Sequence, residues 1–143
     1  MVESVNTLAA LRRHIASLEG IPATQAGACI ATGHRPFDQA FQGGLAQGRI
    51  HELFGNEEDE GAAAGLSLIL AHLAANESPL FWLRLANGAA GQPYGPGLTA
   101  LGIDPAHLLI GVMKDEALLL RAAVDALRCP ALGALVNVLR GCA

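Results

Sequence analysis

The sequence is short of lysine, of aromatic rings and of charge. Lys114 is the only lysine, aromatics make up 4% of the 143 residues and charged residues 15%. Nine basic side chains stand against 13 acidic ones, a net charge of −4, and no basic cluster exceeds Arg12-Arg13. A protein that binds nucleic acid unaided needs a basic face to displace counterions from phosphates. Weak or no direct nucleic acid binding is therefore expected. Cys29, Cys129 and Cys142 are odd in number and form no Cys-x-x-Cys pair, which argues against a disulfide framework or a zinc site and for a reducing compartment. The N-terminus carries Glu3 and no apolar signal core. The longest uncharged apolar run, Gly61 to Ala75, falls short of the ~20 residues that span a bilayer. A cytoplasmic location without a membrane partner is the expectation.

What the chain has in quantity is small and aliphatic. Hydrophobic residues make up 52% of it, with 17 Gly and 7 Pro. That is too apolar for a disordered chain and suits one domain, since single domains commonly run ~100–150 residues. Leu8, Leu11, Ile15 and Leu18 recur at helical spacing, with Gly20 and Pro22 as stops and Arg12, Arg13 and Glu19 on the other face. Residues 1–20 thus read as an N-terminal helix that either packs on its own domain or docks on a neighbour, with Leu8, Leu11, Arg12, Ile15 and Leu18 as its contact residues.

Residues 21–48 are turn-rich, and Phe37 and Phe41 sit four apart, the spacing of one helical turn burying its aromatics. A strand is expected over Arg49 to Phe54. A helix follows over Ala62 to Ala75 with Leu66, Ile69, Leu70 and Leu73 facing inward. A second strand is expected over Leu80 to Ala86, then a Gly/Pro-rich loop and a short helix over Leu98 to Leu101. A third strand covers His107 to Met113. Asp115 caps a helix running to Arg128, acid first and base last as the helix dipole prefers, and Pro130 breaks it. Ala134 to Leu139 reads as a fourth strand. Apolar strands alternating with helices indicate an α/β fold, a mostly parallel sheet flanked by helices.

One junction carries chemical information. A strand running into a Gly-rich loop and then a helix holds phosphates on backbone N–H groups at the helix N-terminus. The working version also has a Lys for the β/γ-phosphates and a Ser or Thr for magnesium. Here the loop reads Gly55-Asn56-Glu57-Glu58-Asp59-Glu60-Gly61-Ala62-Ala63-Ala64, with neither. Four consecutive acids stand where phosphate would lie. Like charges 4 Å apart repel by ~1 kcal/mol in water and ~4 kcal/mol at an effective dielectric of 20. Several such pairs outweigh N–H contacts of ~1.5–3 kcal/mol each. The loop reads as a vestigial phosphate cradle that binds no cofactor.

Ile30-Ala31-Thr32-Gly33-His34, Phe37-Asp38, Gly43-Gly44-Leu45 and Gly48-Arg49-Ile50-His51-Glu52-Leu53-Phe54-Gly55 together resemble the entry into the RecA ATPase core. Leu66-Ser67-Leu68 is similar to the start of its P-loop helix, and Leu101-Gly102-Ile103-Asp104 with Leu108-Leu109 to the segment before its third strand. Leu8 to Leu18 resembles the helix that RecA packs on its filament neighbour. Within that superfamily Leu11 to Gly20, Tyr94-Gly95-Pro96-Gly97-Leu98 and Ala126-Leu127-Arg128-Cys129-Pro130 look like the ImuA family, RecA-like accessories of SOS-induced error-prone synthesis. The resemblance implies a RecA-like P-loop core over 21–143 and partners among an ImuB-like Y-family homologue, a DnaE-type polymerase and RecA itself. It also implies a catalytic Glu after the second strand, where Leu83-Arg84-Leu85-Ala86-Asn87 has no acid. It implies a magnesium-organising Asp on the strand Ala134 to Leu139, where only Asn137 is offered. With lysine, hydroxyl, glutamate and aspartate all missing, ATP hydrolysis is not expected.

No other catalytic constellation competes. His51-Glu52 begins like a zinc-protease helix, but Gly55 stands where the second His belongs. No Ser sits in a G-x-S-x-G turn, His14, His34, His72 and His107 lie at unrelated spacings, and Cys29 and Cys129 read as small core residues. Gly61 to Gly65 reads as a stretch letting its helix lie tightly on the sheet, and Trp82 as core. The expected function is a non-catalytic accessory acting through protein contacts. The alternatives are a SulA-like division inhibitor binding FtsZ, from the same lineage, and a divergent nucleotide hydrolase. In the RecA-type core a further strand inserts between the magnesium-Asp strand and the P-loop strand. Ending at Ala143, the chain is expected to be C-terminally incomplete after about four strands, with a gap or open edge. Homo-oligomerisation, strand completion by a partner, a rearranged sheet, or truncation of a longer gene product are the outcomes to weigh.

Overall fold

The computed structural model describes residues 10, 11, 14, 15, 18, 28–56, 59–88 and 91–139, with Glu60 described by its backbone alone. Leu8, Arg12, Glu57 and Glu58 lie outside these residues. The chain divides into two compact units, Met1–His51 and Glu52–Ala143.

In the first unit Ala10, Leu11, His14, Ile15 and Leu18 are helical, in keeping with the heptad-like spacing of the leucines. The turn-rich stretch holds more order than its composition suggests. β1 (Cys29–Ile30) pairs antiparallel with β2 (Leu45–Ala46), with Cys29 opposite Ala46 and Ile30 opposite Leu45. Between them lies α1 (Arg35–Ala40), with His34 as N-cap accepting from Phe37 N–H and Pro36 in its first turn. Phe37 and Phe41 stack on one another with centroids 4.4 Å apart, but Phe41 is exposed rather than buried. With no layer over α1 among the described residues, the two rings cover each other. Gly44 closes the turn at φ +112°, and a Cβ there would strike the Ile30 carbonyl.

The second unit is a three-stranded parallel sheet in the order β4–β3–β5, with β3 Leu80–Leu85, β4 Leu108–Met113 and β5 Ala134–Val138. Leu80 pairs with Leu108 and Ala134, Trp82 with Ile110 and Val136, and Arg84 with Val112 and Val138. These residues share one sheet face. On it lie α2 (Glu60–Ala75) and α3 (Gly95–Ala100), and the core there joins Ala64, Leu68, Ala71, Ala75 and Leu98 to Leu80, Trp82, Ile103 and Val136. The other face carries α4 (Glu116–Ala126), whose Leu119 and Ala123 pack on Leu83 with Phe81, Leu85 and Leu135 around them. Asp115 caps α4 as expected, its carboxylate accepting from Leu118 N–H at 2.8 Å. α2 ends on Asn76, which takes the left-handed φ of 46° that asparagine tolerates at a helix end.

Three expectations are corrected here. Residues 50–54 form no strand. A strand needs a neighbour for its N–H and C=O groups, and none of β3, β4 and β5 pairs with this segment. The sheet therefore has three strands, and both outer strands have an open side among the described residues. Second, of the expected inward residues of α2 only Leu70 is buried, beside Ala64, Leu68, Ala71 and Ala75, while Leu66, Ile69 and Leu73 are exposed. The helix is apolar on nearly every side, so periodicity alone does not select the face, and the alanines win because they let it approach the sheet. Third, Gly61 and Gly65 do not create that approach: both are exposed, and a Cβ on either would meet nothing within 4 Å.

Candidate functional site

The loop from Gly55 to the first turn of α2 is folded down on itself. A Cβ on Gly55 would lie 2.9 Å from the Asp59 carbonyl oxygen and 3.2 Å from Ala63 Cβ, so only glycine fits there. Asp59 N–H donates to the Asn56 carbonyl at 2.8 Å. Asp59 is the N-cap residue of α2, but its side chain makes no capping bond. Over this turn lies a crevice of about 310 Å³. Phe54, Ala62, Ala63 and Leu66 form its walls, with Gly55, Asn56 and Asp59 at its end.

That lining sets the chemistry. Among the described residues no cationic side chain and no hydroxyl faces the crevice, and the one ionisable group lining it, Asp59, is an acid. The nearest hydroxyl along α2, Ser67, donates to the Ala64 carbonyl at 2.8 Å and is consumed by its own helix. Phe54 is 86% exposed and Leu66 47%, so the entrance is apolar and open. A phosphate here would face a carboxylate and an aromatic ring. An apolar side chain would find a cleft of its own kind.

The other expected site positions fall elsewhere. Ala86 and Asn87 follow β3 with no acid, as the sequence shows. Asn137 pairs with Leu83, which places it on the sheet face covered by α4, away from α2 and its loop. It therefore cannot stand in for a magnesium-organising residue at Gly55. Of the N-terminal contact residues, Leu11, Ile15 and Leu18 are helical and exposed. Glu57 and Glu58 lie outside the described residues, as do Leu8 and Arg12.

Two arrangements escape a sequence reading. Asp38 ties the loop before α1: its Oδ1 accepts from Thr32 N–H at 2.9 Å and Thr32 Oγ1 at 2.7 Å, and its Oδ2 from Gly33 N–H at 3.1 Å. The Thr32 backbone and hydroxyl bonds, joined by Gly33 N–H and nearby His34, hold its carboxyl below the usual carboxylate range against the opposing desolvation. Second, His72 and His107, unrelated in spacing, line one cavity of about 250 Å³ with Glu77, Ser78 and Asp104 at the amino end of the sheet. Among the described residues no group of three or more His, Cys, Asp or Glu is placed to hold a metal. Cys29 and Cys129 are exposed rather than core. Cys29 sits in a two-residue ladder, and Cys129 in the turn after α4, where its N–H donates to the Ala126 carbonyl. Trp82 is core, as expected.

No family model, curated protein or solved structure matches the chain. Among the described residues no helix is long and apolar enough to cross a membrane.

Proposed function

We propose that this chain is a non-catalytic, RecA-like accessory of error-prone DNA synthesis, cytoplasmic and working by protein contact with an ImuB-like Y-family homologue, a DnaE-type polymerase or RecA. The observation that carries the reading is the crevice at Gly55 to Leu66. Where a nucleotide enzyme of this kind puts lysine, hydroxyl and open N–H groups, this chain has Phe54, Leu66, alanines and Asp59. Such a cleft is suited to an apolar side chain of a partner, with Asp59 at its end to select a basic neighbour. The identification with the ImuA family rests on the sequence segments quoted above, and the three-stranded parallel sheet with helices on both faces is compatible with it.

The test is association of the purified chain with purified ImuB and with the polymerase. Binding is expected, weakened by Phe54→Asp or Leu66→Asp, both exposed changes that leave the core intact. No association with ImuB, polymerase or RecA sinks the proposal. ATP binding at micromolar affinity or tighter would restore the hydrolase alternative. Suppression of FtsZ GTP hydrolysis would transfer the same scaffold to division control.

A further inference from the structure

The side of α2 turned away from the sheet is unlike an ordinary solvent face. Ala62, Gly65, Leu66, Ile69 and Leu73 recur along it at helical spacing and all are exposed, Leu66 to 47% and Ile69 and Leu73 to 37% each. From Gly61 to Ala75 the helix carries no Asp, Glu, Lys or Arg, and its one titratable residue, His72, is half-buried. A surface helix ordinarily sets charged and polar residues opposite its core stripe, and a helix apolar on every side is a buried one. The sheet accounts for the side of Ala64, Leu68, Ala71 and Ala75. It does not account for the second apolar stripe.

The ends of the stripe narrow what can cover it. Asp59, the N-cap residue, stands at one end beside Leu66. Glu77, exposed and two residues past the last helical one, stands at the other. Neither carboxylate is in an ion pair among the described residues. The helix has 16 residues, so about 24 Å of uncharged surface separates the two acids. A second copy of this chain is a poor cover. Laid antiparallel, α2 on α2 brings Asp59 to the other copy's Glu77; laid parallel, it brings each acid to its twin, and like charges repel. The chain's own leucine-rich segment, Leu8 to Leu18, is flanked by Glu3 and Glu19 and repeats the mismatch.

We propose that this stripe is the docking face for an amphipathic helix of a partner protein, its apolar side on Leu66, Ile69 and Leu73 and a Lys or Arg at each end facing Asp59 and Glu77. The proposal rests on the reading of the crevice as a partner site and deepens it, since Ala62 and Leu66 belong to both. A helix suits the surface better than a strand. α2 offers no free backbone edge, so an extended segment laid on it would leave its own N–H and C=O groups without partners, whereas a helix bonds its own. The match of charge fixes the spacing, with the two cations about 16 positions apart. Small Ala62 and Gly65 leave room at the Asp59 end, so the partner's larger apolar side chains fall there and its smaller ones over Ile69 and Leu73.

The probe is a labelled synthetic amphipathic helix of about 20 residues, with leucines on one side and lysine at both ends, titrated with the full chain and followed by fluorescence anisotropy. Saturable binding is expected, about tenfold tighter than for a scrambled peptide of the same composition or for one with glutamate at both ends. Equal binding of the scrambled peptide overturns the proposal. Ile69→Lys and Leu73→Lys are expected to weaken binding as much as Leu66→Asp does. Loss confined to Phe54→Asp and Leu66→Asp overturns the helix and leaves the crevice reading standing, while no loss with any of the four overturns both. Glu77→Lys touches no packing residue of α2. It is expected to weaken the lysine-ended peptide severalfold and to restore binding of a peptide carrying glutamate at the matching end, and failure of that exchange overturns the charge match. A dimer in sedimentation that Leu73→Lys disperses would place a second copy on the stripe and overturn the proposal too.

Discussion

Gly133 and Gly65 each accept an added methyl group with opposite consequences. At Gly133 an alanine Cβ would lie 2.7 Å from Ala75 Cβ, 2.7 Å from Ser78 Cβ and 2.8 Å from Ala75 Cα. None of these atoms is the free end of a flexible side chain. Ala75 is fixed at the last turn of α2 and is itself core, and Gly133 N–H is bound to the Pro79 carbonyl at 2.9 Å. Relief requires α2 and the start of β5 to separate, an overpacking cost of ~2–3 kcal/mol. At Gly65 the same methyl meets nothing within 4 Å on an exposed helix interior. There it gains the ~0.8–1 kcal/mol by which alanine exceeds glycine in a helix. Urea unfolding of the two variants beside the wild type is expected to lower the midpoint for Gly133→Ala and raise it for Gly65→Ala. With ~1 kcal/mol worth about 3–4 °C in a chain of this length, thermal midpoints should part by roughly 10 °C. Destabilisation by Gly65→Ala would mean that α2 makes a close contact at that position, and a neutral Gly133→Ala would refute the packing of α2 against β5.

The remaining expectations concern single groups. Asp38, held below its ordinary range by Thr32, contributes stability present above the unfolded carboxylate value of ~3.9 and lost as pH falls through its lower folded value. Asp38→Asn is expected to remove that acid-limb dependence from the unfolding of the first unit, and an unchanged pH profile would count against the Thr32–Asp38 bonds. Gly44→Ala is expected to abolish the β1–β2 pairing, because its φ of +112° and the Ile30 carbonyl both exclude a Cβ; the β-carbon shifts of residues 29–30 and 45–46 report it. Trp82→Phe removes a buried indole N–H with no partner. The ~1–3 kcal/mol cost of that orphan donor offsets most of the lost volume, so stability should stay within ~1 kcal/mol of wild type. A larger loss in equilibrium unfolding would show that the indole N–H is bonded.

Which parts of this structure the sequence discloses follows from where the determining contacts lie. Asp115, Pro130 and Asn76 act through their own backbones or the next turn, so the ends of α4 and α2 are legible in the chain alone. β3, β4 and β5 are mostly apolar runs broken only by Arg84 and Asn137, and they too announce themselves, although burial is deep only at Leu80, Trp82, Leu83 and Val136 and most of β4 stays exposed. The inward face of α2 does not, because Leu66, Ile69 and Leu73 compete with Ala64, Leu68 and Ala71 and only the sheet beneath decides. Phe37 and Phe41 show the same limit: their spacing gives the pair, while burial depends on a layer that the described residues do not supply. That the loop carries neither lysine nor a hydroxyl is legible from its residue types. Its apolar crevice is not, since Phe54 and Leu66 are brought together by the fold of Gly55 onto Asp59.

The unpaired segment before that loop links sheet and site. Parallel crossovers are right-handed, and α2 lies on the Trp82 face over β5 and β3, so a strand feeding α2 belongs on the β5 side of β3. That side of β5 is open among the described residues. Without a ladder to hold it, the stretch through Leu53 and Phe54 takes no strand structure, with Ile50 89% and Phe54 86% exposed. The phosphate site of a P-loop depends on the strand that anchors its loop, and this loop has neither a laddered strand before it nor a lysine or hydroxyl within it. Hydrogen exchange separates this picture from one in which the strand forms in solution. Leu53 and Phe54 amides should exchange with little protection, while Trp82 and Leu83, 2% and 0% exposed at the centre of the sheet, should open only with global unfolding. Equal protection at both places would mean that residues 50–54 are paired after all, and the account of the open crevice would fall with it.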